Sequence, residues 1–493
     1  MSNEGEYQVK RLATGVPGLD EILVGGLPAG QMYLLEGEPG TGKTTVAMQF
    51  IREGVRAGER CMYMTLSEPR SELQGSLRSH GWAVEDIPIT EFVPNEASSS
   101  VEEQYTVFHP SEVELAGTIQ KLLTIVREVN PDRLVVDSLS ELRLLASDNM
   151  RYRRQLLAMK QYFAGTQITV LLLDDLTSNG RDLQLHSIVH GVLRLEKIAR
   201  SFGVTRRQAE VVKLRGSSYR EGLHDYVILK GGVHIFPRLV AAEHQRDFTW
   251  ERIESGLPAL DAMFGGGIAR GSATLLMGPA GTGKSTLAMQ YAAAAARRGE
   301  RAIVYAFDEV LRTAKARAEN LGMNLEPLLS NGTLSMAQVD PAELSPGEFI
   351  HQIRSDVEDR DTRVVVIDSL NGFLNSMPGE RDLILHLHEL LAFLNQKGVL
   401  TILILAQHGL VGSMQTNVDV SYLSDTVVLL RYFELHGEVR QVISVLKQRV
   451  GRHERTLRQM DIGPGGIEIG EPLTHLQGVL TGVPMLPQTL GAE

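Results

Sequence analysis

Two glycine-rich stretches have the residue types and spacing of a phosphate-binding loop. Residues 37–44 read GEPGTGKT and residues 278–285 read GPAGTGKS, so both fit the pattern G-x-x-x-x-G-K-[ST]. The glycines allow several backbone N–H groups to face one anion, and a helix N-terminus adds positive potential. Lys43 and Lys284 are expected to reach the β- and γ-phosphates of a bound nucleotide and to take part in catalysis. The predicted nucleotide-binding residues are Gly37, Gly40, Thr41, Gly42, Lys43, Thr44 and Thr45, and Gly278, Gly281, Thr282, Gly283, Lys284, Ser285 and Thr286.

A magnesium ion bound beside the phosphates needs oxygen ligands from the protein. Thr44 and Ser285 offer hydroxyls, and Asp137 and Asp368 end two apolar runs that have the character of buried strands. An aspartate at the carboxyl end of a parallel strand points into the crevice where ligands bind. These four residues are therefore the predicted metal site. Alternatively, each aspartate caps the helix that follows it.

Hydrolysis also requires a group that orients the attacking nucleophile. The strand that follows each P-loop helix ends in acidic residues, Glu68 in the first copy and Asp308 and Glu309 in the second. Glu68 and Glu309 are the predicted bases, and Asp308 is a further candidate. Each could instead be a solvated acid at the end of a strand.

A pair of cations recurs late in each copy. Lys213 and Arg215 are separated by one residue, as are Lys447 and Arg449, so each pair lies on one face of a strand. In ring assemblies such pairs contact the γ-phosphate held by a neighbouring subunit. Alternatively, they are solvated cations that protect an edge strand from aggregation.

The elements that must position these groups occur twice. Residues 11–50 and 252–291 repeat the same pattern, and matched residues such as Lys43 and Lys284 keep a constant spacing of 241. A period of this length indicates a duplicated domain rather than a solenoid. The sequence therefore predicts two ATPase domains, at 1–240 and 241–493, with a linker-like segment over 238–250.

Strands and helices alternate within each copy. In the first copy the apolar runs at 32–36, 62–66, 134–136 and 168–173 predict strands, separated by segments of helical periodicity. Later strand-like runs predict an antiparallel edge. The predicted fold class is α/β, with two tandem RecA-like P-loop NTPase domains, each a mostly parallel sheet flanked by helices.

Composition narrows the possible functions. The net charge is −11 and aromatic residues make up 5% of the chain, which disfavours a surface for coating nucleic acid. Cys61 is the single cysteine, so internal disulfides and multi-thiolate zinc sites are excluded. No signal peptide or long apolar run is visible, and a cytoplasmic protein without membrane association is expected.

The order of these motifs, doubled in one chain, resembles the KaiC family of circadian-clock ATPases over residues 10–475 or so. The resemblance implies a double-ring homo-hexamer with ATP and Mg²⁺ bound between subunits, and clock-type or signalling partner proteins. It also implies slow ATP hydrolysis in the first domain. In the second domain it implies serine/threonine autokinase activity. His453 matches a histidine of the family's K-x-R segment, so with the two cation pairs it is expected to contact the γ-phosphate in trans.

The resemblance places a phosphoacceptor at Ser421. The family's adjacent threonine is replaced by Tyr422, which alters the usual two-site pattern, and Ser424 retains a hydroxyl nearby. The first of the family's paired strand-end glutamates is Ser67 in copy one and Asp308 in copy two. The alternative function is a RecA- or DnaB-like motor whose ATPase activity depends on DNA.

Overall fold

The computed structural model of the chain describes residues 10–92 except Val84 and Asp86, 110–199 except Ser147 and 177–182, and then 203–375, 383–407 and 420–481. The chain divides into two compact units, Met1–Arg238 and Leu239–Glu493, which we call unit 1 and unit 2.

Unit 1 alternates strands and helices. Its described strands are β1 (Arg11–Leu12), β2 (Leu27–Pro28), β3 (Met32–Gly37), β4 (Cys61–Thr65), β5 (Ile89–Glu91), β6 (Arg133–Asp137), β7 (Thr169–Asp175), β8 (Gly191–Ile198), β9 (Arg206–Leu214), β10 (Leu223–Leu229) and β11 (Gly232–Phe236). Its described helices are α1 (Leu19–Ile22), α2 (Lys43–Arg56), α3 (Arg70–Ser79), α4 (Pro110–Val129), α5 (Leu139–Leu145), α6 (Asn149–Ala164) and α7 (Leu183–Ile188).

Unit 2 repeats this order. Its described strands are β12 (Arg252–Ile253), β13 (Ile268–Ala269), β14 (Ala273–Gly278), β15 (Arg301–Ala306), β16 (Leu334–Gln338), β17 (Thr362–Asp368), β18 (Leu400–Ala406), β19 (Thr426–Leu435), β20 (Glu438–Gln448), β21 (Arg458–Gly463) and β22 (Gly466–Pro472). Its described helices are α8 (Pro258–Met263), α9 (Lys284–Arg297), α10 (Leu311–Asn320), α11 (Glu326–Ser330), α12 (Pro346–Glu358), α13 (Leu370–Asn375) and α14 (Leu383–Gln396).

The main sheets of the two units have the same topology. Over the described residues, unit 1 has nine strands in the order β11-β10-β9-β8-β3-β7-β6-β4-β5, and unit 2 has nine in the order β16-β15-β17-β18-β14-β19-β20-β21-β22. In unit 1 the neighbouring strands β8, β3, β7, β6, β4 and β5 pair in parallel. The neighbouring strands β8, β9, β10 and β11 pair antiparallel. This confirms the predicted fold class of two mostly parallel sheets flanked by helices.

Each sheet is buried on both faces because successive side chains along a strand point to opposite sides. In β3, Leu34 packs into one apolar cluster with residues of α4 and α6, whereas Tyr33 and Leu35 pack into another with residues of α2. Unit 2 has two corresponding clusters. The P-loop strand therefore lies at the centre of a core that fixes its position.

The segment expected to be a linker packs against unit 2. Leu239 and Ala241 are buried in an apolar cluster of unit 2, and the Ala241 N–H donates to Glu389 Oε2 over 3.2 Å. Arg246 pairs with Asp361 at 2.9 Å. The segment has no long periodic pattern because its regular structure is limited to a 3-10 helix of three residues, Ala241–Glu243. Among the described residues, we find no helix with the length and apolar character needed to cross a membrane.

A neutral histidine stabilises the end of unit 1. His224 in β10 is 1% exposed; its Nδ1 accepts from the Arg238 N–H over 2.9 Å, and its Nε2 lies 3.1 Å from the Arg220 carbonyl oxygen. Burial lowers the pKa of His224 to about 4. Unfolded chains bind this proton nearer pH 6.5, so below that pH the unfolded state holds more protons than the folded state. Stability should therefore fall as the pH drops from about 6.5 to 4.

We expect unit 1 to lose up to about 3 kcal/mol of unfolding free energy across that window through His224 alone. A His224→Gln variant should lack this component, so the difference between the two pH profiles isolates it from other titrating groups. Denaturant titrations can follow the buried Trp82 in a Trp250→Phe background. Parallel pH profiles for the two proteins would contradict the expectation.

Candidate nucleotide-binding sites

The two P-loops occupy the same place in their units, between a central strand and the helix that follows it. β3 ends at Gly37 and α2 begins at Lys43, while β14 ends at Gly278 and α9 begins at Lys284. The N-cap residues of these helices, Gly42 and Gly283, have φ angles of 93° and 90°. Side chains with a Cβ atom rarely adopt this left-handed region, so glycine permits the turn. The first N–H groups of each helix consequently face the loop and are available to an anion.

Both P-loop lysines fold back over their loops and are buried. Lys43 Nζ donates to the Gly37 and Glu38 carbonyl oxygens over 2.8 and 3.1 Å, and Lys284 Nζ donates to the Pro279 oxygen over 2.6 Å. Burial lowers the pKa of Lys284 to about 8. Because a buried ammonium needs acceptors, phosphate oxygens are suitable replacements for these carbonyls.

The threonines predicted to bind nucleotide also shape the loops. Thr41 Oγ1 donates to the Glu38 oxygen over 2.7 Å, and Thr282 Oγ1 donates to the Pro279 oxygen over 2.9 Å. Tyr226 adds a support from β10, with its hydroxyl donating to the Thr41 oxygen over 2.6 Å. Among the following residues, Thr45 Oγ1 lies 3.3 Å from His80 Nε2, and Thr286 is buried.

The predicted metal residues meet in each unit. Thr44 Oγ1 lies 3.3 Å from Asp137 Oδ2, and Ser285 lies beside Asp368, where its hydroxyl acts to lower the pKa of that carboxyl. Asp137 is only 7% exposed and also accepts from the Tyr63 hydroxyl. Burial raises the pKa of Asp137 and of Asp368. The carboxylates therefore face P-loop hydroxyls.

This pairing fits a magnesium ion that shares its ligands with a nucleotide. Within the described ranges, no group of three or more His, Cys, Asp or Glu side chains is arranged to hold a metal. One hydroxyl and one carboxylate leave most coordination positions to phosphate oxygens and water, which is how Mg²⁺ is usually bound beside a nucleotide.

The predicted bases lie at the ends of β4 and β15, but their surroundings differ. Glu68 is exposed, and its backbone is fixed by Thr65 Oγ1, which accepts from the Glu68 N–H over 3.0 Å. Despite this exposure, the neighbouring protein partly desolvates the Glu68 carboxyl and raises its pKa, and the charge of Asp137 adds to the effect. In unit 2, Glu309 pairs with Arg317 at 2.8 Å and Asp308 accepts from Ser369 Oγ over 2.5 Å. Glu68 is thus closer in character to a proton acceptor, whereas both acids of unit 2 already have partners.

The cation pairs lie towards the other end of the central strands from the P-loop of their own unit. Lys213 is level with Val192 of β8, whereas Gly37 is level with Leu195, three residues further along. At about 3.3 Å per residue, that separation is roughly 10 Å along the strand. Unit 2 has the same arrangement, since Lys447 is level with Val427. Neither pair is therefore placed beside its own P-loop.

Instead, the cations bind backbone carbonyls of the segment before β8 or β19. Lys213 Nζ donates to the Val189 oxygen over 2.9 Å and also to the His186 oxygen, and Arg215 Nη2 donates to the Ser187 oxygen over 2.7 Å. Burial lowers the pKa of Lys213 to about 8, and the charge of Arg215 contributes.

In unit 2 the carbonyls belong to the turn that contains the predicted phosphoacceptor. Lys447 Nζ donates to the Ser421 and Ser424 oxygens over 2.9 and 2.7 Å, and Arg449 Nη2 donates to the Tyr422 oxygen over 2.9 Å. Ser424 is fully buried, so the structure does not present it as a spare acceptor, whereas Tyr422 is 54% exposed. His453 lies in the loop between β20 and β21.

Sequence reasoning did not identify three residues that contact the P-loop machinery of unit 1. Asp175 pairs with Lys43 at 2.7 Å, Tyr63 binds Asp137, and Tyr226 binds Thr41. Asp175 was visible as the acidic end of an apolar run. The tyrosines carried no signal, because buried strand residues of this type are ordinarily core.

Comparison with known proteins agrees with this geometry. The family model described as "ATPase: KaiC" matches residues 12–240 and again residues 253–474. The circadian clock protein KaiC3 of Synechocystis sp. is 28% identical over 97% of this chain and 95% of its own length. The circadian clock oscillator proteins KaiC of Picosynechococcus sp. and Synechococcus elongatus are 27% and 26% identical, over 98% of this chain and 94% and 93% of their own lengths. A chain with two P-loop units, both matched by this model, belongs to the KaiC family of ATPases.

Proposed function

We propose that this chain is an ATP-hydrolysing regulator that works as a homo-hexameric ring, with nucleotide bound between neighbouring subunits. The observation that carries the proposal is the pairing of a P-loop hydroxyl with a strand-end aspartate in both units, Thr44 with Asp137 and Ser285 with Asp368. A P-loop lysine lies beside each pair. Together they form the set that binds a triphosphate with magnesium.

In this proposal each side chain has one task. Lys43 and Lys284 exchange their carbonyl contacts for β- and γ-phosphate oxygens, and the backbone N–H groups of the loop hold the remaining charge. Mg²⁺, when bound, would neutralise phosphate charge, with ligands from the hydroxyl and aspartate of each unit. Glu68 in unit 1 and Glu309 or Asp308 in unit 2 orient the nucleophile at the γ-phosphate.

The position of the cation pairs supports a ring. Lys213 and Arg215 are placed away from the P-loop of their own unit, so the phosphate they would contact belongs to another copy. We propose that Lys447, Arg449 and His453 act similarly in unit 2. A cation from the neighbour stabilises charge on the transferring phosphoryl group.

Autophosphorylation of Ser421 is the second part of the proposal. Lys447, a proposed γ-phosphate contact, donates to the backbone oxygen of Ser421 over 2.9 Å. If Lys447 meets the γ-phosphate of a neighbour, the Ser421 backbone is held beside the same phosphate. The serine oxygen would bond to the γ-phosphorus as the bond to the β-phosphate oxygen breaks and ADP leaves, and the serine proton would pass to Glu309 or Asp308 of the copy that binds the nucleotide. Clock-type partner proteins are proposed from the names of the relatives.

We expect Lys43→Ala and Lys284→Ala each to weaken ATP binding in their own unit by about 10- to 100-fold, because charge-assisted hydrogen bonds to phosphate are lost. Equilibrium dialysis with magnesium should then find about half the tight sites in each variant and almost none in the double variant. Lys121→Ala, which alters an exposed lysine on α4, is the matched control.

The rate of phosphate release should fall as fewer P-loops remain intact, from the unaltered chain to the single variants and then to the double variant. Adding single-stranded DNA should not change this rate. If the unaltered chain took up no nucleotide in the presence of magnesium, the proposed function would be wrong. A many-fold stimulation of turnover by DNA would instead favour the motor that composition disfavours.

For autophosphorylation, we expect Ser421→Ala to remove most of the label transferred from γ-labelled ATP, while nucleotide binding is retained. Ser187→Ala is the matched control, since the Ser187 carbonyl accepts from Arg215 at the related turn of unit 1. Intact-mass measurement after incubation with ATP gives the stoichiometry. Undiminished label in Ser421→Ala would place the acceptor elsewhere, and mass spectrometry of peptides would test Tyr422 first.

A further inference from the structure

An ion pair distinguishes the P-loop of unit 1 from that of unit 2. Asp175 Oδ1 lies 2.7 Å from Lys43 Nζ, which also donates to the Gly37 and Glu38 oxygens. An ammonium group has three protons, and these three acceptors use all of them. The other carboxylate oxygen, Oδ2, accepts from Ser140 Oγ over 3.2 Å. The carboxylate is thus held from both sides.

The strand order explains why this acid meets this lysine. β7 lies between β3 and β6 in the sheet, so its carboxyl end emerges between the P-loop and Asp137. In the parallel register Asp175 is directly opposite Gly37, the first residue of the P-loop. The side chain is 29% exposed, so it borders the open space above the loop and is not part of the core.

Unit 2 provides a natural comparison, since the residue opposite Gly278 is Ala406. The side chain corresponding to Ser140 is Asn371, which binds the Ala406 backbone through both its amide nitrogen, at 3.0 Å, and its amide oxygen, at 2.6 Å. The scaffold is therefore conserved between the units, and the carboxylate is the difference. Lys284 donates to the Pro279 oxygen and has no carboxylate at this position.

The carboxylate affects nucleotide binding in two ways. Lys43 must leave Asp175 to reach a phosphate, which removes a favourable ion pair. Once the lysine has moved, Asp175 remains opposite Gly37 at the edge of the loop, where its negative charge repels an added γ-phosphate. The repulsion by Asp175 is largest for a nucleotide with a γ-phosphate. The loss of the ion pair applies to any nucleotide that binds Lys43.

We propose that Asp175 is a specificity-determining residue that lowers the preference of unit 1 for triphosphate over diphosphate relative to unit 2. This inference rests on the proposed function, because it assumes that Lys43 and Lys284 bind nucleotide. Asp175 acts as an internal anion bound to Lys43, and a γ-phosphate must displace it from the lysine. The two units then respond to different ratios of ATP to ADP.

The test compares affinities for ADP and for a β,γ-methylene analogue of ATP, which is not hydrolysed. In the full chain carrying Lys284→Ala, unit 1 is read alone, and Asp175→Asn removes the charge while keeping the size. We expect about tenfold tighter binding of the analogue and a change of no more than about threefold for ADP. Equal changes for both ligands, no change, or weaker analogue binding would each overturn the proposal.

The reciprocal change is made in unit 2, in the full chain carrying Lys43→Ala. Ala406→Asp should weaken binding of the analogue more than that of ADP, while Ala406→Asn controls for side-chain size. This arm remains informative if Asp175→Asn does not fold. If the parent chains bind no nucleotide, the proposed function fails and this inference fails with it; if they bind and the ratio does not move, this inference alone is rejected.

Discussion

The arrangement of each unit depends on one interaction: a lysine ammonium is buried in the loop that precedes its own helix. Lys43 and Lys284 are 7% and 6% exposed, and a buried charge is costly unless it is surrounded by acceptors. The loop supplies carbonyl oxygens, glycines provide the left-handed turn, and the sheet on either side fixes the strand that leads into it. A ligand with several anionic oxygens satisfies the same ammonium and also the N–H groups at the helix start. The apolar core of each unit therefore holds in place the P-loop, with its buried lysine and its N–H groups.

The two copies differ most in the charges that surround this site. Just before the P-loop of unit 1, Glu36 is buried and pairs with Arg194 at 2.7 Å and His186 at 2.8 Å. The corresponding residue of unit 2 is Met277, which packs against an apolar cluster. Together with Asp175, Glu36 gives unit 1 carboxylates at two positions where unit 2 has Ala406 and Met277. Duplicated backbones have thus kept one topology while the charges around the binding region diverged.

The proposed ring rests on the position of the cation pairs. Backbone carbonyls before β8 and β19 fix Lys213 and Lys447 towards the opposite end of the sheet from the P-loop. A group that stabilises a transferring phosphoryl must touch it, so the role proposed for these cations assigns them to the site of another copy. In unit 2 the same carbonyls belong to the turn that contains Ser421. The proposed acceptor and the proposed trans cations therefore form one surface.

Local patterns in the chain were sufficient to predict the duplication, both glycine-rich loops, the alternation of strands and helices and the placement of Thr44 and Asp137 in one site. These features depend on residues near one another in sequence, or on the rule that parallel strands end at one edge of a sheet. The tertiary structure decided which distant groups meet. Asp175 faces Lys43 because a crossover places β7 beside β3, Tyr63 reaches Asp137 from a neighbouring strand, and the linker-like segment packs on unit 2 through Leu239. Strand order and register are set by packing of the whole core, so no short stretch of sequence encodes them.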